Sequence, residues 1–540
     1  MHRKLPIVLY ILVLFIPNAF ARKVFVSSTS GNDKNSGSSI SDAYQTLQYA
    51  SDQSQAGDTI FIASGFYKST SKHLLKISRS GEKDKWITYK NLESKRPVLY
   101  VSNEAAISIF QSSYIIIEGL EFTSDPDFEK RISNPESINN LTSKGNAIQI
   151  ERSRGPQLFS HHVKLKDNYI HDCPGNGIDI FSADYIEIVY NNLHANGKYS
   201  MVSNCGIRIQ FLNTFDELPG DHIIMQYNEI SNQRTTGSLS KVNNSCEENY
   251  GASGIVLRNN RYDQQQALKP NYLQKINIGN NLIYLNGGQA IDVFETNNLF
   301  IHNNTCYQNN QNEESKCGEI QCNKTKDILA QNNIFYARIG MNGSSVKNYE
   351  NVSFLNNLYY NTKGYFQGQK DLNEDPMFTM LDHHRGVFNF ELRPKSPAIN
   401  TGNSSGISSI DFSGSKRVIS YNVDLGAMEY TGALPKPRDS EQMKLDRRSI
   451  TISWQASYSQ TTGQIIVLNS KGDYFSALLF NNTGKVVSET FNINGSKRGI
   501  EFDVSSLPSG LYFLVAFSET ENYTSKYFVK NNFTNLLNTK

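Results

Sequence analysis

Seven stretches of this chain repeat one phrase: "KLKDNYIHD", "EIVYNNLHAN", "IMQYNEISN", "NIGNNLIYLN", "FIHNNTCYQN", "ILAQNNIFY" and "FLNNLYYN". They align on an Asn, at Asn168, Asn191, Asn228, Asn280, Asn303, Asn332 and Asn356. The shortest spacing, from Asn168 to Asn191, is the unit; longer ones are that unit plus insertions. A second register precedes it: "NAIQIE", "NGIDIF", "CGIRIQ", "SGIVLR", "QAIDVF" and "GEIQCN". Apolar residues two apart make each of these a strand with one buried face. Short strands in a unit of about twenty to thirty residues, without a helical period, mark a β-solenoid. One coil cannot bury its apolar face alone, whereas coils stacked about 4.8 Å apart bury it continuously. The Asn suits a bend, because it tolerates left-handed backbone angles and its amide can bond the Asn of the next coil. Its fixed offset from the strands excludes a low-complexity Asn tract. Residues 175–197 are then one rung: a strand at 178–181, a turn at Ser182-Ala183-Asp184, a strand at 185–189 and a bend at Asn191.

The 540 residues leave room for more than the solenoid. A net charge of +2 with interspersed signs excludes the basic stripe of a nucleic-acid binder. At the N-terminus, His2-Arg3-Lys4, an apolar run from Leu5 to Ile16 and Ala19-Phe20-Ala21 predict a secretory signal over residues 1–21. No other stretch predicts a membrane-spanning helix. Cys173, Cys205, Cys246, Cys306, Cys317 and Cys322 permit disulfides in an exported chain, with Cys306–Cys317 the first expected pair. Without a CxxC spacing they do not predict a structural zinc site.

The solenoid is expected over residues 22–432. Its open first coil needs a cap, and "DAYQTLQYASDQ" (42–53) predicts a short amphipathic helix opened by Asp42. Insertions at about 211–222, 232–252 and 259–274 lack strand alternation and predict loops; two of them flank "SGIVLR". "DPMF", "SPAINTG" and "DLGAMEY" belong to a closing segment. Residues 433–449 read as a linker, 450–532 as a small β-sandwich of alternating strands at hairpin spacing, and 533–540 as a tail.

Two resemblances add to this. "NTGKVV", "FDVSSLPSGLYFLVAF" and "TSKYFVK" resemble the C-terminal sorting domain of the type IX secretion system, which implies export to the cell surface or beyond and the secretion machinery as a partner. Residues 23 to about 430, from "VFVSSTSGNDKNSGSSISDAYQTLQYASDQSQAGDTIFIASGFY" to "DLGAMEY", resemble the right-handed parallel β-helix family. Members near this pattern are often polysaccharide lyases; others are glycoside hydrolases. The resemblance implies an acidic polysaccharide as substrate. Family-nine lyases carry an acidic calcium cluster and a Lys base on neighbouring coils, whereas "SNCGIRI" here has Arg208 and no Asp.

In each "GIxIx" strand the Ile residues point inward and the x positions outward, so stacking predicts two exposed columns. The first runs Gln149, Asp179, Arg208, Val256, Asp292, Gln321; the second runs Glu151, Phe181, Gln210, Arg258, Phe294, Asn323. Planar hydrogen-bonding groups and aromatic rings suit sugars; a solvated sheet face is the alternative. Elimination on a uronide needs a neutralised carboxylate, a base for the C5 proton and an acid at the leaving oxygen. Arg208 and Arg258 are candidates to neutralise, directly or with Ca²⁺ held by Asp179 or Glu151. Lys198, Tyr199, Lys241 and Tyr250 are candidate bases on adjoining loops. A hydrolase instead needs carboxylates about 5–10 Å apart. Asp179 and Asp292, three coils apart or roughly 14 Å, are too distant, so Glu247, Glu248 or Asp263 would have to serve. A non-catalytic surface glycan binder is the third reading. His171 and His194, at one offset, are expected to stack as surface turn residues, with metal binding the lesser alternative. The chain is expected to act as a monomer.

Overall fold

The structure, a computed structural model, describes residues 21–101, 104–127, 145–152, 158–197, 205–234, 251–261, 271–312, 317–383, 385–418 and 422–432, and most of the strands between 454 and 529. The chain divides into two compact units, residues 1–436 and 437–540. The expected signal apart from Ala21, the linker and the tail lie outside the described residues.

The first unit is a parallel β-helix with three faces per rung. A rung such as Ile178–Phe181, Asp184–Val189 and Asn192–His194 gives one strand to each face. The inter-rung pairings among the described residues are parallel, with one register shift between Asp221 and Ile223, and the first-face strands keep register: Ile178 pairs with Ile207, Ile207 with Ile255, and Ile255 with Ile291. The inward Ile, Leu and Val residues form one core along the whole stack. The third face is an 11-stranded sheet. The first two merge into an 18-stranded sheet because Gly318–Gln331 and Asn342–Leu355 run unbroken through their corner.

The Gly of the "GIxI" phrase has a steric cause. A Cβ on Gly177, Gly206 or Gly254 would lie 2.7–2.8 Å from a carbonyl oxygen of the next rung, so a side chain there would push the rungs apart.

The Asn ladder exists, one residue away from the predicted position in its upper half. It runs Asn168, Asn191, Asn228, Asn281, Asn304, Asn333, Asn357, each amide donating to the next side-chain oxygen at 2.9–3.0 Å. Asn280, Asn303, Asn332 and Asn356 instead take left-handed angles, φ 51–58°. Asp167, Tyr190 and Tyr227 hold that position lower down, at φ 52–58°. An "NN" pair thus divides one task between two residues: the first turns the chain and the second bonds the neighbouring rungs.

The N-terminal helix is shorter than predicted, Leu47–Asp52, and is capped by Thr46, whose side chain accepts from the Tyr49 amide at 3.2 Å. Asp42 ends a separate 3-10 turn, because Tyr44 bridges to Val26 and keeps the chain extended between them. Leu47 and Ala50 close the bottom of the core. Cys306 is a buried free thiol inside the stack, so the expected Cys306–Cys317 disulfide is not formed. The closing segment pairs Phe378–Asp382 with Val387–Leu392 and packs a second core that includes Phe390, Leu425 and Met428.

In the second unit, antiparallel strands form a three-stranded and a four-stranded sheet. Its own core holds Ile465, Leu479, Phe502 and Leu514.

Candidate functional site

The three corners of a rung are unequal. Between the second and third faces the connection is 63–65 and 92–97 in the first two rungs and two residues long in every described rung from 119–120 onward, as at 167–168, 190–191, 227–228 and 280–281. The long connections border the first face. Before it lie 125–145, 195–204, 232–252 and 308–317; after it lie 151–160, 211–220 and 259–274. The ladder corner leaves no room for an insertion without breaking a hydrogen-bonded row, so extra chain accumulates along both edges of one face.

That face carries both predicted columns. The first is continuous in register: Gln149, Asp179, Arg208, Val256, Asp292, Gln321. It extends below to Ser108 and Lys76, which sequence reasoning missed. Contrary to expectation this column is not exposed. Asp179 and Asp292 are 0% accessible and Arg208 is 6%. For the charged members the reason is side-chain length: each Arg reaches across to a short carboxylate on a neighbouring rung. Arg208 grips Asp179 with Nε at 2.8 Å and Nη2 at 2.7 Å, and Asn146 donates to the same carboxylate at 3.2 Å. Arg258, from the second column, donates to Asp292. In both constellations a Phe packs on the pair, with Phe181 5.5 Å from the Arg208 guanidinium and Phe294 5.5 Å from that of Arg258. Burial works against the charge on Arg208, but Asp179 outweighs it and holds the guanidinium protonated. Burial pushes the Asp292 carboxyl up, and Arg258 pulls it back.

The second column is the accessible one. Phe181 pairs with Gln210, Arg258 with Phe294 and Phe294 with Asn323. Phe110, Glu151, Phe181, Gln210 and Phe294 are half-buried and line one row, while Arg258 and Asn323 are covered. Glu151 accepts from Ser108 and faces Lys76 Nζ at 3.4 Å and His73 Nε2 at 3.7 Å. Burial lowers the His73 pKa, opposed by Glu151.

Ca²⁺ requires a cage of oxygen ligands, for which Asp179 and Glu151 are the expected carboxylates. Each is already matched to cations, and among the described residues no three His, Cys, Asp or Glu side chains converge as ligands. Lys198, Tyr199, Lys241 and Tyr250 lie outside the described residues, as do Glu247, Glu248 and Asp263. His171 and His194 do stack in register. His194 bonds the Ser231 hydroxyl at 3.0 Å. Burial opposes charge on His171, but hydrogen bonds to Asp172 and Glu121 outweigh it and raise its pKa to about 9.

An anchor at the exit edge of the first face carries no motif. Asp184, fully buried, gathers the Tyr185 amide (2.9 Å), the Phe215 amide (2.7 Å), His222 Nδ1 (3.0 Å) and the Tyr272 hydroxyl (2.7 Å). Phe215 belongs to connection 211–220 and Tyr272 to 259–274, so one carboxylate tethers both. Beside it Tyr114, His162, Tyr185 and His222 stack over successive rungs, with centroids 4.6, 4.4 and 4.0 Å apart. Their faces cover one another, so this row stiffens the corner rather than offering rings to a sugar.

Residues 24–174 match the family described as "Pel9A-like, right handed beta helix region", and residues 450–530 match "Secretion system C-terminal sorting domain". The protein is therefore a right-handed parallel β-helix joined to a sorting domain that directs type IX secretion to the cell surface or extracellular space. Among solved structures, pectate lyase Pel9A is similar at 14% identity, covering 76% of this chain and 96% of that one, with a TM-score of 0.43. The GH136 lacto-N-biosidase from Eubacterium ramulus is similar at 14% identity over 65% and 68%, with a TM-score of 0.37. A PL6 family alginate lyase, AlyGC, is similar at 14% over 60% and 38%, with a TM-score of 0.36. At these identities the likeness is one of fold alone. No curated protein matches the sequence.

Proposed function

We propose that this protein is a secreted carbohydrate-active β-helix enzyme that binds an acidic polysaccharide along the first face and cleaves it by β-elimination. The observation carrying this reading is the coincidence of two features on one face: long connections on both edges, and a straight row of half-buried Phe, Gln and Glu side chains at the rung spacing. Pyranose faces stack on such rings, and hydroxyls bond such planar groups. Asp179 and Asp292 are each buried against an Arg, which removes them as the carboxylate pair that hydrolysis would need on this face.

In this reading Arg208 and Arg258 position the face through their carboxylates rather than touching the substrate. Lys198, Tyr199 and Lys241 remain the candidate groups for the C5 proton, and no step is routed through calcium. Incubating the full chain with pectate, alginate and glycosaminoglycans, and following the ultraviolet absorbance of an unsaturated uronide, tests it. Absorbance that grows with time is the expected outcome. New reducing ends without it would assign a hydrolase, and binding without either product would assign a glycan-binding surface protein.

A further inference from the structure

Beside the accessible column stands a cation unlike the others on this face. Lys76 faces Glu151, Arg208 grips Asp179 and Arg258 donates to Asp292. Arg152 is exposed, and no described carboxylate pairs with it. Its guanidinium instead lies 4.9 Å from the centroid of the Phe211 ring. Phe211 in turn stacks on Phe181 of the column, with centroids 6.3 Å apart and planes 12° from parallel.

This platform is held in place. Phe211 takes a left-handed angle, φ 55°, where the strand ends. The next residues are tied down by the Leu212 amide on Asn260 Oδ1 at 3.0 Å, the Asn213 amide on the Ala183 carbonyl at 3.3 Å and the Phe215 amide on Asp184. A guanidinium resting on an aromatic ring keeps its in-plane N–H donors pointing away from the ring, and their fork matches a carboxylate in bidentate fashion.

We propose that Arg152, held over Phe211 beside Phe181, is an anion subsite that binds the carboxylate of a uronic-acid residue lying on the second column. The proposal rests on the first face being the polysaccharide groove, and it specifies which group of the polymer is read and by which side chain.

The test measures the affinity of the full chain for polygalacturonate and alginate, for methyl-esterified polygalacturonate and for dextran sulfate. Arg152→Ala should weaken binding of the polyuronate at least tenfold and leave the esterified polymer unchanged. Arg152→Lys should recover only part of the loss, because an ammonium lacks the fork. Phe211→Ala should weaken polyuronate binding with the guanidinium intact. Arg152 is exposed, so an unchanged melting temperature is expected and separates binding from folding. Wild-type affinity in Arg152→Ala, or an equal loss on the esterified polymer, would overturn the subsite while leaving the groove in place. An equal loss on dextran sulfate would overturn the carboxylate assignment in favour of a general anion site. A wild-type protein that binds none of the acidic polymers would overturn the groove and the subsite together.

Discussion

The corner between the second and third faces and the edges of the first face are built from the same repeat, yet they solve opposite problems. At the corner, two residues turn the chain and an Asn amide passes hydrogen bonds from rung to rung, as where Asn191 donates to Asn228 and to the Leu165 carbonyl. At the edges of the first face, rungs are held by contacts particular to each site, such as Arg208 on Asp179 or Tyr272 on Asp184. A periodic device gives uniform stability and admits no insertion. Local devices admit insertions and differ from rung to rung, which is what a recognition surface needs.

The comparison can be broken most forcefully at the buried ion pair. Arg208→Ala leaves the Asp179 carboxylate buried and unpaired, and should cost about 3–5 kcal/mol. Replacing both partners with apolar residues of similar volume should recover most of the loss, read from denaturant midpoints. If the single and double variants were equally unstable, the pair would not be acting through charge matching.

Asn228→Ala tests the periodic side. It removes the acceptor of the Asn191 backbone amide and the side-chain donor to the Ile188 carbonyl, for a loss of about 1–3 kcal/mol. Amide exchange should rise in the rungs on both sides of the substitution. Asp184→Asn should instead release residues 211–215 and 271–274 together while the rung amides of Ile186 and Ile223 stay protected. A uniform rise in exchange along the stack would refute the distinction between the two kinds of device.

A second ladder, in which the backbone amides of Asn196, Gln233 and Asn286 donate to the side-chain oxygens of Gln233, Asn286 and Asn309, sharpens the comparison through pH. It ends where the Asn309 amide and side chain both donate to Glu319, a buried carboxyl that burial pushes up to about 8 against those same bonds. From about 4.5, the ordinary value, to about 8 the folded chain holds a proton that the unfolded chain has released, so stability should fall as pH rises. The slope should reach ~1.4 kcal/mol per unit at most, and Glu319→Gln should flatten it. The smallest effect is expected at His171, part-exposed on the third face. Its pKa, raised to about 9, gives stability that is complete below about 6.5 and is lost as pH passes 9. His171→Ala should remove that dependence, and solvent screening keeps the change to roughly 1 kcal/mol or less.

What the sequence determined by itself is whatever the repeat enforces. Apolar residues two apart, a recurrent Asn and a Gly or Ala ahead of the first-face Ile act through backbone geometry, so the chain alone places Ile178, Ile207, Ile255 and Ile291 one above another. The same logic located the outward columns and the insertions beside them. The shift from Asn280 to Asn281 marks its limit, since an "NN" pair looks identical until one backbone turns left-handed. Burial of the first column, the anchoring of two connections on Asp184 and the reach of Arg152 to Phe211 were decided only by tertiary structure. They depend on how far a long side chain extends across rungs and on which separate segments meet at one carboxylate. Neither quantity is periodic, so no pattern along the chain encodes it.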